Sequence, residues 1–355
     1  MILVIAAIHK WPTKQIDYVM AFPQAPIERE LYMELPKGYK MDKYDRKEYA
    51  LKLNKNLYGQ KQAGRVWNKY LVTKLKEVGF VQSKFDECIF YRDKVIYIMY
   101  TDDSIITGPS TGDVDDAIKA IKSANLQITE EGDIYDFLGV SITNQQDDNI
   151  HFHQHHLINQ ILTDLKMNYN DTKRKTIPSQ SSKILSRHSN STPHDRSFDY
   201  RSILGKLGYL ERGSRPEIAY IVHQCARFSI SPKLEHSKAI RWLAQYLHST
   251  RDKGMIFHPD TSKGLELFVD ADFAGNWDPE ETQDIDTARS RHGFAIKYAG
   301  CVIVWKSQLQ REVALLSTEA EYTRLSYAIR KTIPIMNTIK EISKQHSIPM
   351  HQPKL

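Results

Sequence analysis

The chain has 355 residues, which is long enough for two or three domains with a sizeable core. Hydrophobic residues make up 41% and charged residues 26%, and a net charge of +6 permits a polyanionic partner without demanding one. The three cysteines lie far apart, which excludes a disulfide framework and any zinc-finger spacing.

The first residues, "MILVIAAIH", form a short apolar run with no basic region before it and no small-residue cleavage site after it. These features argue against a signal peptide. No apolar run in the sequence approaches the ~20 residues of a membrane helix, so we expect no membrane partner. We interpret Met1–His9 as the end of a core helix that stops near Pro12. A chain that begins inside a helix suggests a truncated sequence.

Predicted helices and strands occur in blocks along the chain without an internal repeat, which indicates an α+β fold. In chain order they are a strand over 15–22, a helix over 63–80, strands within 95–107, a strand over 136–144, a helix over 156–165, helices within 199–250, strands from residue 265 and a helix from Ser317. Residues 168–195 are rich in Ser, Asn and Lys, which predicts a linker or a mobile loop.

Three aspartates are candidates for a metal site. Asp102 and Asp103 stand side by side in "IYIMYTDDSIITG", between two apolar segments. A hairpin turn is one explanation, because Asp tolerates turn geometry. The other is ligation, because adjacent carboxylates repel each other unless a cation binds both. Asp17 ends an earlier strand-like segment, and the three acids together would supply ligands for two Mg²⁺ ions, which lie ~3.5–4 Å apart in such sites.

Several segments resemble, in one order, the reverse transcriptase of Ty1/copia-type retrotransposons. They are "QIDYVMAFPQAPIERELYMELPKGY", "LKLNKNLYGQKQAGRVWNKYL", "GFVQSKFDECIFY", "YTDD" and "FLGVSI". The later segments "VDADFAG" and "ALLSTEAEY" resemble the adjoining ribonuclease H region of the same polyprotein. The resemblance covers nearly the whole chain. It implies an α+β fold with a right-hand polymerase palm built on an antiparallel sheet, a helical thumb and connection, and a truncated ribonuclease H-like α/β domain.

The resemblance also implies three domains. Residues 1–145 would form the palm with most of the fingers missing. Residues 146–255 would form the thumb and connection, with a polar linker at 168–198. Residues 256–355 would form the ribonuclease H-like domain, truncated at its C-terminal end.

Residue by residue, the resemblance assigns roles to the positions that match the family's motifs. Asp17, Asp102 and Asp103 become the catalytic and metal-binding residues, with Thr101 where the family usually has Val. Thr is also β-branched, so we expect the strand to continue through Thr101. Phe22 matches the steric gate under the sugar of the incoming nucleotide, and the alternative is a core aromatic. The implied substrate-binding residues are Phe22, Gly59, Gln60 and Lys61, and the implied primer grip is Phe137, Leu138 and Gly139.

The ribonuclease H remnant consists of two acids. They are Asp270, with Asp272 as the less favoured alternative, and Glu321. Glu319 is assigned to the start of the helix because Ser317 and Thr318 are good N-cap residues. The family completes this site with two further aspartates, but no aspartate follows Glu321 here, so we expect this domain to be inactive.

By resemblance, the parent activity is RNA-directed DNA polymerisation, a two-metal nucleotidyl transfer onto a primer 3′-hydroxyl with Mg²⁺ or Mn²⁺ as cofactor. The implied partners are an RNA or DNA template with its primer, deoxynucleoside triphosphates and the remainder of the retrotransposon polyprotein. The implied location is the cytoplasm, in a virus-like particle, with the nucleus as an alternative. Two other functions stay open. The first is a catalytically inactive relic that binds nucleic acid without polymerising, because only sixteen residues precede Asp17. The second is a nuclease acting through Asp270 and Glu321.

Three further features have ordinary structural interpretations. The histidines of "HFHQHHLINQ" suggest a metal by composition, but His151 and His153 alternate as polar residues along a strand. The basic run at 173–175 is interpreted as a solvated loop rather than a nuclear signal or a phosphate contact. Trp67 and Trp242 are interpreted as core residues rather than platforms for base stacking.

Overall fold

A computed structural model describes residues 1–40, 46–144, 149–167, 173–180, 185–187 and 190–349. Over these residues the protein is a mixed α/β structure whose sheets are antiparallel. The chain forms two compact units. The N-terminal unit comprises His9–Ile134 with Lys344–Ser347, and the C-terminal unit comprises Met1–Ile8, Tyr135–Ser343 and the residues from Ile348. The chain starts with helix α1 (Ile2–His9), as the sequence predicted.

The strands of the N-terminal unit all pair antiparallel. They are β1 (Thr13–Tyr18), β2 (Tyr32–Glu34), β3 (Ala50–Lys52), β4 (Val81–Gln82), β5 (Ile89–Arg92), β6 (Val95–Tyr100), β7 (Asp103–Thr107) and β8 (Ile128–Asp133). Six of them form one sheet in the order β4-β5-β6-β7-β1-β8, and β2 pairs with β3. The helices of this unit are α2 (Ala21–Gln24), α3 (Ala63–Glu77) and α4 (Thr111–Ser123), with a 3₁₀ turn at Arg46–Glu48.

Two amphipathic helices supply much of the core of the N-terminal unit. Helix α3 buries Val66, Trp67, Leu71 and Leu75, and helix α4 buries Val114, Ala117, Ile118 and Ile121. This spacing of three and four residues places each set on one helix face. Helix α4 begins where the Ser110 hydroxyl accepts the Asp113 N–H, a standard N-cap. Both apolar faces join the inward-facing side chains of the six-stranded sheet in one cluster.

The C-terminal unit combines a helical core with two antiparallel sheets. Its strands are β9 (Asp136–Phe137), β10 (Val140–Asn144), β11 (Ile150–His153), β12 (Met255–Phe257), β13 (Leu265–Asp272), β14 (Arg291–Tyr298) and β15 (Cys301–Leu309). They form the sheets β12-β11-β10-β9 and β13-β14-β15. The helices are α5 (His155–Asp164), α6 (Tyr200–Gly213), α7 (Ala219–Ala226), α8 (Leu234–Ser249), α9 (Ile285–Ala288) and α10 (Ser317–His346), with 3₁₀ turns at Pro216–Ile218 and Pro279–Glu281. Helices α5 to α8 share one buried apolar cluster.

In the part of the chain that the structure describes, no helix has both the length and the apolar character to cross a membrane.

Most predicted elements are confirmed, but two predicted strands are wrong in extent. The strand expected over 15–22 ends at Tyr18, because Met20 adopts a positive φ of 50° and the chain then turns into α2. Phe22 therefore lies on a short helix. The strand expected over 136–144 is interrupted by a two-residue turn between β9 and β10.

The predicted linker lies partly outside the described residues, at 168–172, 181–184 and 188–189. Within the described part, the Lys175 ammonium lies 3.5 Å from the centre of the Trp242 ring. The Trp242 indole N–H donates to the Ile177 carbonyl at 3.1 Å, and the ring is only half-buried. The interpretation of Trp242 as a core residue is therefore wrong, and Lys175 is not merely a solvated charge. The division into three domains stays a prediction.

The histidine-rich segment forms a row of imidazole rings. The ring centres of His151 and His153 are 5.1 Å apart, and those of His153 and His155 are 4.1 Å apart. Burial, and then the neighbouring His155, lowers the pKa of both His151 and His153. The rings of His153 and His155 stack, whereas those of His151 and His153 are tilted by 44°, and the lowered pKa values favour the neutral forms of His151 and His153.

Candidate functional site

Strand pairing brings the three candidate aspartates together at one end of the six-stranded sheet. Strand β1 lies between β7 and β8, and its register pairs Asp17 with Asp103. Asp103 also pairs with Tyr100 across the β6–β7 hairpin, so Asp102 occupies the turn. The Tyr18 N–H donates to the Asp102 carbonyl at 3.2 Å, which joins that turn to the end of β1. All three carboxylates are half-buried.

The turn that carries Asp102 has an unusual backbone. Thr101 adopts a positive φ of 59°, which is uncommon for a β-branched residue. The predicted continuation of the strand through Thr101 is wrong, because this residue lies between β6 and β7. Such conformations cost ~1–3 kcal/mol and persist where their surroundings fix them. Here the indole N–H of Trp67 donates to the Thr101 carbonyl at 2.7 Å.

A buried polar chain lies behind the aspartates. Trp67 is 1% exposed, which confirms it as a core residue, and its ring centre is 5.1 Å from that of Tyr18. The Tyr18 and Tyr97 hydroxyls are 2.8 Å apart, and the Tyr97 hydroxyl is 2.8 Å from the Ser104 hydroxyl. Burial raises the pKa of Tyr97 to about 12 and that of Tyr18 well above its usual value. Both phenols therefore keep their protons at neutral pH and fix the strands that carry the site.

The electrostatics of the site favour a cation. Burial, and then the negative charge of Asp102, raises the pKa of Asp17, and a hydrogen bond from the Tyr18 N–H acts in the opposite direction. Among the described residues, no group of three or more His, Cys, Asp and Glu side chains is arranged to hold a metal by itself. However, Mg²⁺ is commonly bound by one or two carboxylates together with substrate phosphates and water. The three aspartates therefore fit as part of such a ligand set, and the remaining ligands would have to come from other groups.

A loop beside Phe22 carries the predicted nucleotide-binding residues. The ring centres of Phe22 and Tyr58 are 4.6 Å apart, and Phe22 is half-buried against the core. Gly59 follows with a φ of 93°, a conformation that only glycine adopts without strain. The Gln60 side-chain carbonyl accepts the N–H of Leu57 at 3.2 Å, and Lys61 is exposed.

Sequence reasoning missed Asn56, which attaches this loop to the residues that directly follow α2. Asn56 is 0% exposed, and its side-chain amide donates to the carbonyls of Ala25 at 3.1 Å and Pro26 at 2.9 Å. The signal in the sequence was an Asn just before "LYGQ", which is too common in loops to single out. Sequence reasoning also missed the hydrogen bond of Trp67, since a core indole and a turn-holding indole look the same in a sequence.

The predicted primer grip belongs to the C-terminal unit and forms the turn of the β9–β10 hairpin. Leu138 and Gly139 have positive φ angles of 52° and 66°, the combination that a type I′ turn requires. The Tyr209 hydroxyl donates to the Leu138 carbonyl, and the Gln154 amide donates to the Gly139 carbonyl at 3.2 Å. A Cβ on Gly139 would lie 2.9 Å from the Tyr209 hydroxyl oxygen. The turn is therefore held rigidly from α6 and from the start of α5.

The second pair of candidate acids also lies in the C-terminal unit. Asp270 on β13 and Glu321 on α10 are exposed and line one cavity of ≈ 460 Å³. Arg324 lines it too, is 1% exposed, and has no hydrogen-bond partner for its guanidinium among the described residues. Burial lowers the pKa of Arg324 to about 10, although the charge of Asp270 acts in the opposite direction. The Glu319 carboxylate accepts the Leu315 N–H at 2.7 Å just before α10, as expected for a residue at the helix start, but the predicted N-cap role of Ser317 and Thr318 is wrong because both lie within the helix.

Comparison with known proteins decides the family. The model of the family described as "Reverse transcriptase (RNA-dependent DNA polymerase)" matches residues 1–181, half of the chain. The chain belongs to the reverse transcriptase family. The matched range of this family member contains the three aspartates of the N-terminal unit, the loop at Gly59–Lys61 and the turn at Phe137–Gly139, whereas Asp270 and Glu321 lie beyond it.

The relatives of this reverse transcriptase family member confirm the predicted Ty1/copia type. It is 31% identical over 352 residues to the retrovirus-related Pol polyprotein from transposon RE2 of Arabidopsis thaliana, which covers 98% of this chain and 23% of that polyprotein. It is 29% identical to the corresponding polyprotein from transposon TNT 1-94 of Nicotiana tabacum, with 96% and 26% covered. It is 23% identical to the Ty1-MR1 Gag-Pol polyprotein of Saccharomyces cerevisiae, with 93% and 19% covered. The chain thus spans about a quarter of the length of the plant polyproteins.

Proposed function

We propose that the N-terminal unit carries the polymerase site of a copia-type retrotransposon Pol polyprotein and catalyses RNA-directed DNA polymerisation. The observation that carries the proposal is the β1–β7 register, which sets Asp17 opposite Asp103 and beside the turn that contains Asp102. The family match over residues 1–181 supports it. The relatives are much longer polyproteins, so their activity comes to this chain as a proposal only.

In the proposed reaction, Asp17 and Asp102 would hold the divalent cations, Mg²⁺ or Mn²⁺, and Asp103 would assist. When bound, the cations supply positive charge that activates the primer 3′-hydroxyl and offsets the charge of the triphosphate. Burial and the charge of Asp102 raise the pKa of Asp17, and a bound cation would act on it in the opposite direction. Trp67 keeps the Asp102 turn in one conformation through its bond to Thr101. The contribution of the protein itself is thus a pre-formed carboxylate site.

Substrate contacts are proposed for the neighbouring loop. Phe22, braced by Tyr58, would lie under the sugar and exclude a 2′-hydroxyl. The exposed ammonium of Lys61 would contact phosphate, and Gly59 and Gln60 would leave the backbone of the loop accessible. The proposed substrates are deoxynucleoside triphosphates and a primed RNA or DNA template.

The C-terminal unit is proposed to contain the thumb, the connection and a ribonuclease H-like region. The rigid turn at Phe137–Gly139 is the proposed primer grip. The antiparallel sheet β13-β14-β15 followed by α10 supports a ribonuclease H-like arrangement. The remainder of the polyprotein is a proposed partner, and a cytoplasmic virus-like particle is the proposed location.

Primer extension by the full chain on an RNA template in Mg²⁺ tests the proposal. We expect Asp102→Asn to lower the extension rate by about 10³-fold, because metal-based charge stabilisation contributes several kcal/mol. The matched control is Asp116→Asn, an exposed carboxyl group on α4 of the same unit, which should extend like the parent. Equal extension by Asp102→Asn would refute the assignment. Binding of primed template without extension by the parent chain would favour the non-polymerising alternative.

A further inference from the structure

A cleft in the C-terminal unit collects positive charge on residues that the proposed polymerase site does not use. It lies between the end of β15 and the middle of α10 and has a volume of ≈ 630 Å³. We call it the basic cleft. Its lining includes Lys306, Arg311, Arg330 and Lys331, against one acid, Glu312, among the described lining residues.

The cations of the basic cleft are gathered around one aromatic ring. The ammonium groups of Lys306 and Lys331 lie 5.6 Å and 5.9 Å from the ring centre of Tyr327. Lys306 also donates to the Tyr327 hydroxyl at 3.2 Å. The imidazole of His292 stacks on the same ring with a centre-to-centre distance of 5.3 Å. The contacts of these cations in the cleft are therefore with neutral groups, and their charge is available to an anion.

Beneath this ring lie buried nitrogens without partners. His292 is 5% exposed, and both of its ring nitrogens lack a hydrogen bond among the described residues. Burial, and then the charges of Arg324, Lys306 and Arg291, lowers the pKa of His292 to about 4. A buried polar atom without a partner costs ~1–3 kcal/mol. A ligand oxygen that accepts a hydrogen bond from His292 would recover part of that free energy.

We propose that the basic cleft binds phosphate groups, with Lys306, Arg311 and Lys331 as charge contacts and His292 as a hydrogen-bond donor. Phosphate carries more charge and more acceptor oxygens than a carboxylate, and the cleft offers four cationic side chains. The half-buried Tyr327 ring lines the cleft between these cations, where a sugar or base that accompanies the phosphate would contact it. A nucleic-acid strand and a free polyphosphate share this chemistry, and the cleft lies in the segment beyond residue 181, so the proposal does not depend on polymerase activity.

The decisive experiment compares two lysines on the same helix in the full chain. Lys331 lines the cleft, whereas Lys340 is exposed on α10 outside that lining. Binding of a fluorescein-labelled RNA–DNA hybrid is measured by anisotropy over a range of salt concentrations, and binding of tripolyphosphate by calorimetry. For a strand in the cleft, Lys331→Gln should weaken hybrid binding several-fold and lower the slope of log K against log salt by ~0.9. Lys340→Gln should change neither quantity to that extent.

The two sources of phosphate give different results. If Lys331→Gln weakens tripolyphosphate binding but not hybrid binding, the cleft binds a free polyphosphate. As a second readout, bound phosphate should raise the pKa of His292 from about 4. This pKa is followed through the ring signal of His292, which is identified as the signal that is missing in His292→Gln. If Lys331→Gln and Lys340→Gln bind both ligands equally well, the proposal is overturned. Asp102→Asn should lower primer extension without changing any of these readouts. The proposal for the cleft and the proposal for the polymerase site are therefore tested independently.

Discussion

The two carboxylate sites, one in each compact unit, differ in the source of their positive charge. In the N-terminal unit, the charge of Asp102 adds to burial in raising the pKa of Asp17, so negative charge accumulates there. In the C-terminal unit, the charge of Asp270 acts on a buried guanidinium of α10, that of Arg324. In the proposed function the first site takes a cation from solution, whereas the second contains a cationic side chain of the protein itself. The two acidic sites thus differ in the charge of their nearest neighbours, a carboxylate in the first and a buried guanidinium in the second.

The largest effect is expected when the two sites are compared by removing one acid from each. Asp17→Asn should lower the extension rate by about 10³-fold, because it removes a ligand that no neighbour replaces. We also expect Mn²⁺ to raise the melting temperature of the parent protein, and Asp17→Asn should abolish that rise. Asp270→Asn should retain that rise. If Asp270→Asn loses it instead, the contrast between the sites is reversed.

A smaller effect on catalysis is expected from Trp67→Phe. This change removes the N–H that holds the Thr101 carbonyl while keeping an aromatic ring in the core. We expect kcat for extension to fall by up to ~10²-fold, since small misplacements of reacting groups cost that much, with KM for the triphosphate little changed. The control is Trp242→Phe, which removes an indole bond to the Ile177 carbonyl in the other unit. Equal losses in the two variants would show that Trp67 acts through general stability.

The internal cation of the second site can be removed by Arg324→Met. Because its guanidinium is buried without a hydrogen-bond partner among the described residues, the variant should be more stable to urea by ~1–3 kcal/mol. Arg330→Met, an exposed change on the same helix, should alter stability by less than ~0.5 kcal/mol. A loss of stability in Arg324→Met would show that Arg324 and Asp270 form a stabilising ion pair in solution, and the two sites would then differ even more.

The smallest effect is expected in the pH dependence of stability. The pKa of Asp17 is raised in the folded protein, so the folded state binds that proton more tightly than the unfolded chain. Stability is therefore lost as the pH rises from the unfolded pKa, ~3.9, through the raised folded value. Asp17→Asn should be more stable than the parent at neutral pH, and the difference should vanish below the unfolded pKa. Thermal unfolding across pH measures this, with Asp116→Asn as the control for the loss of one negative charge. A constant difference at all pH values would contradict the raised pKa.

The pattern of apolar residues was sufficient to predict a helix or a strand where one periodicity dominated the segment. Helix α3 followed from apolar residues at helical spacing, and the β6–β7 hairpin followed from two apolar strands around Asp102 and Asp103. It failed where a single backbone conformation decided the outcome. Met20 and Thr101 both adopt positive φ angles that nothing in their residue types predicts. The first ended a strand early, and the second moved Thr101 from a strand into a turn.

The sequence by itself determined the family and the candidate acids, because motif order survives without any knowledge of contacts. Only the tertiary structure decided which of those acids act on each other. Asp17 meets Asp103 because β1 inserts between β7 and β8, and pairing between strands distant in the chain follows from the packing of the whole sheet. The burial of Arg324 beside Asp270 was decided in the same way. A charged residue on a helix reads as solvent-exposed in a sequence, and only the face on which the helix packs determines whether its charge enters a site.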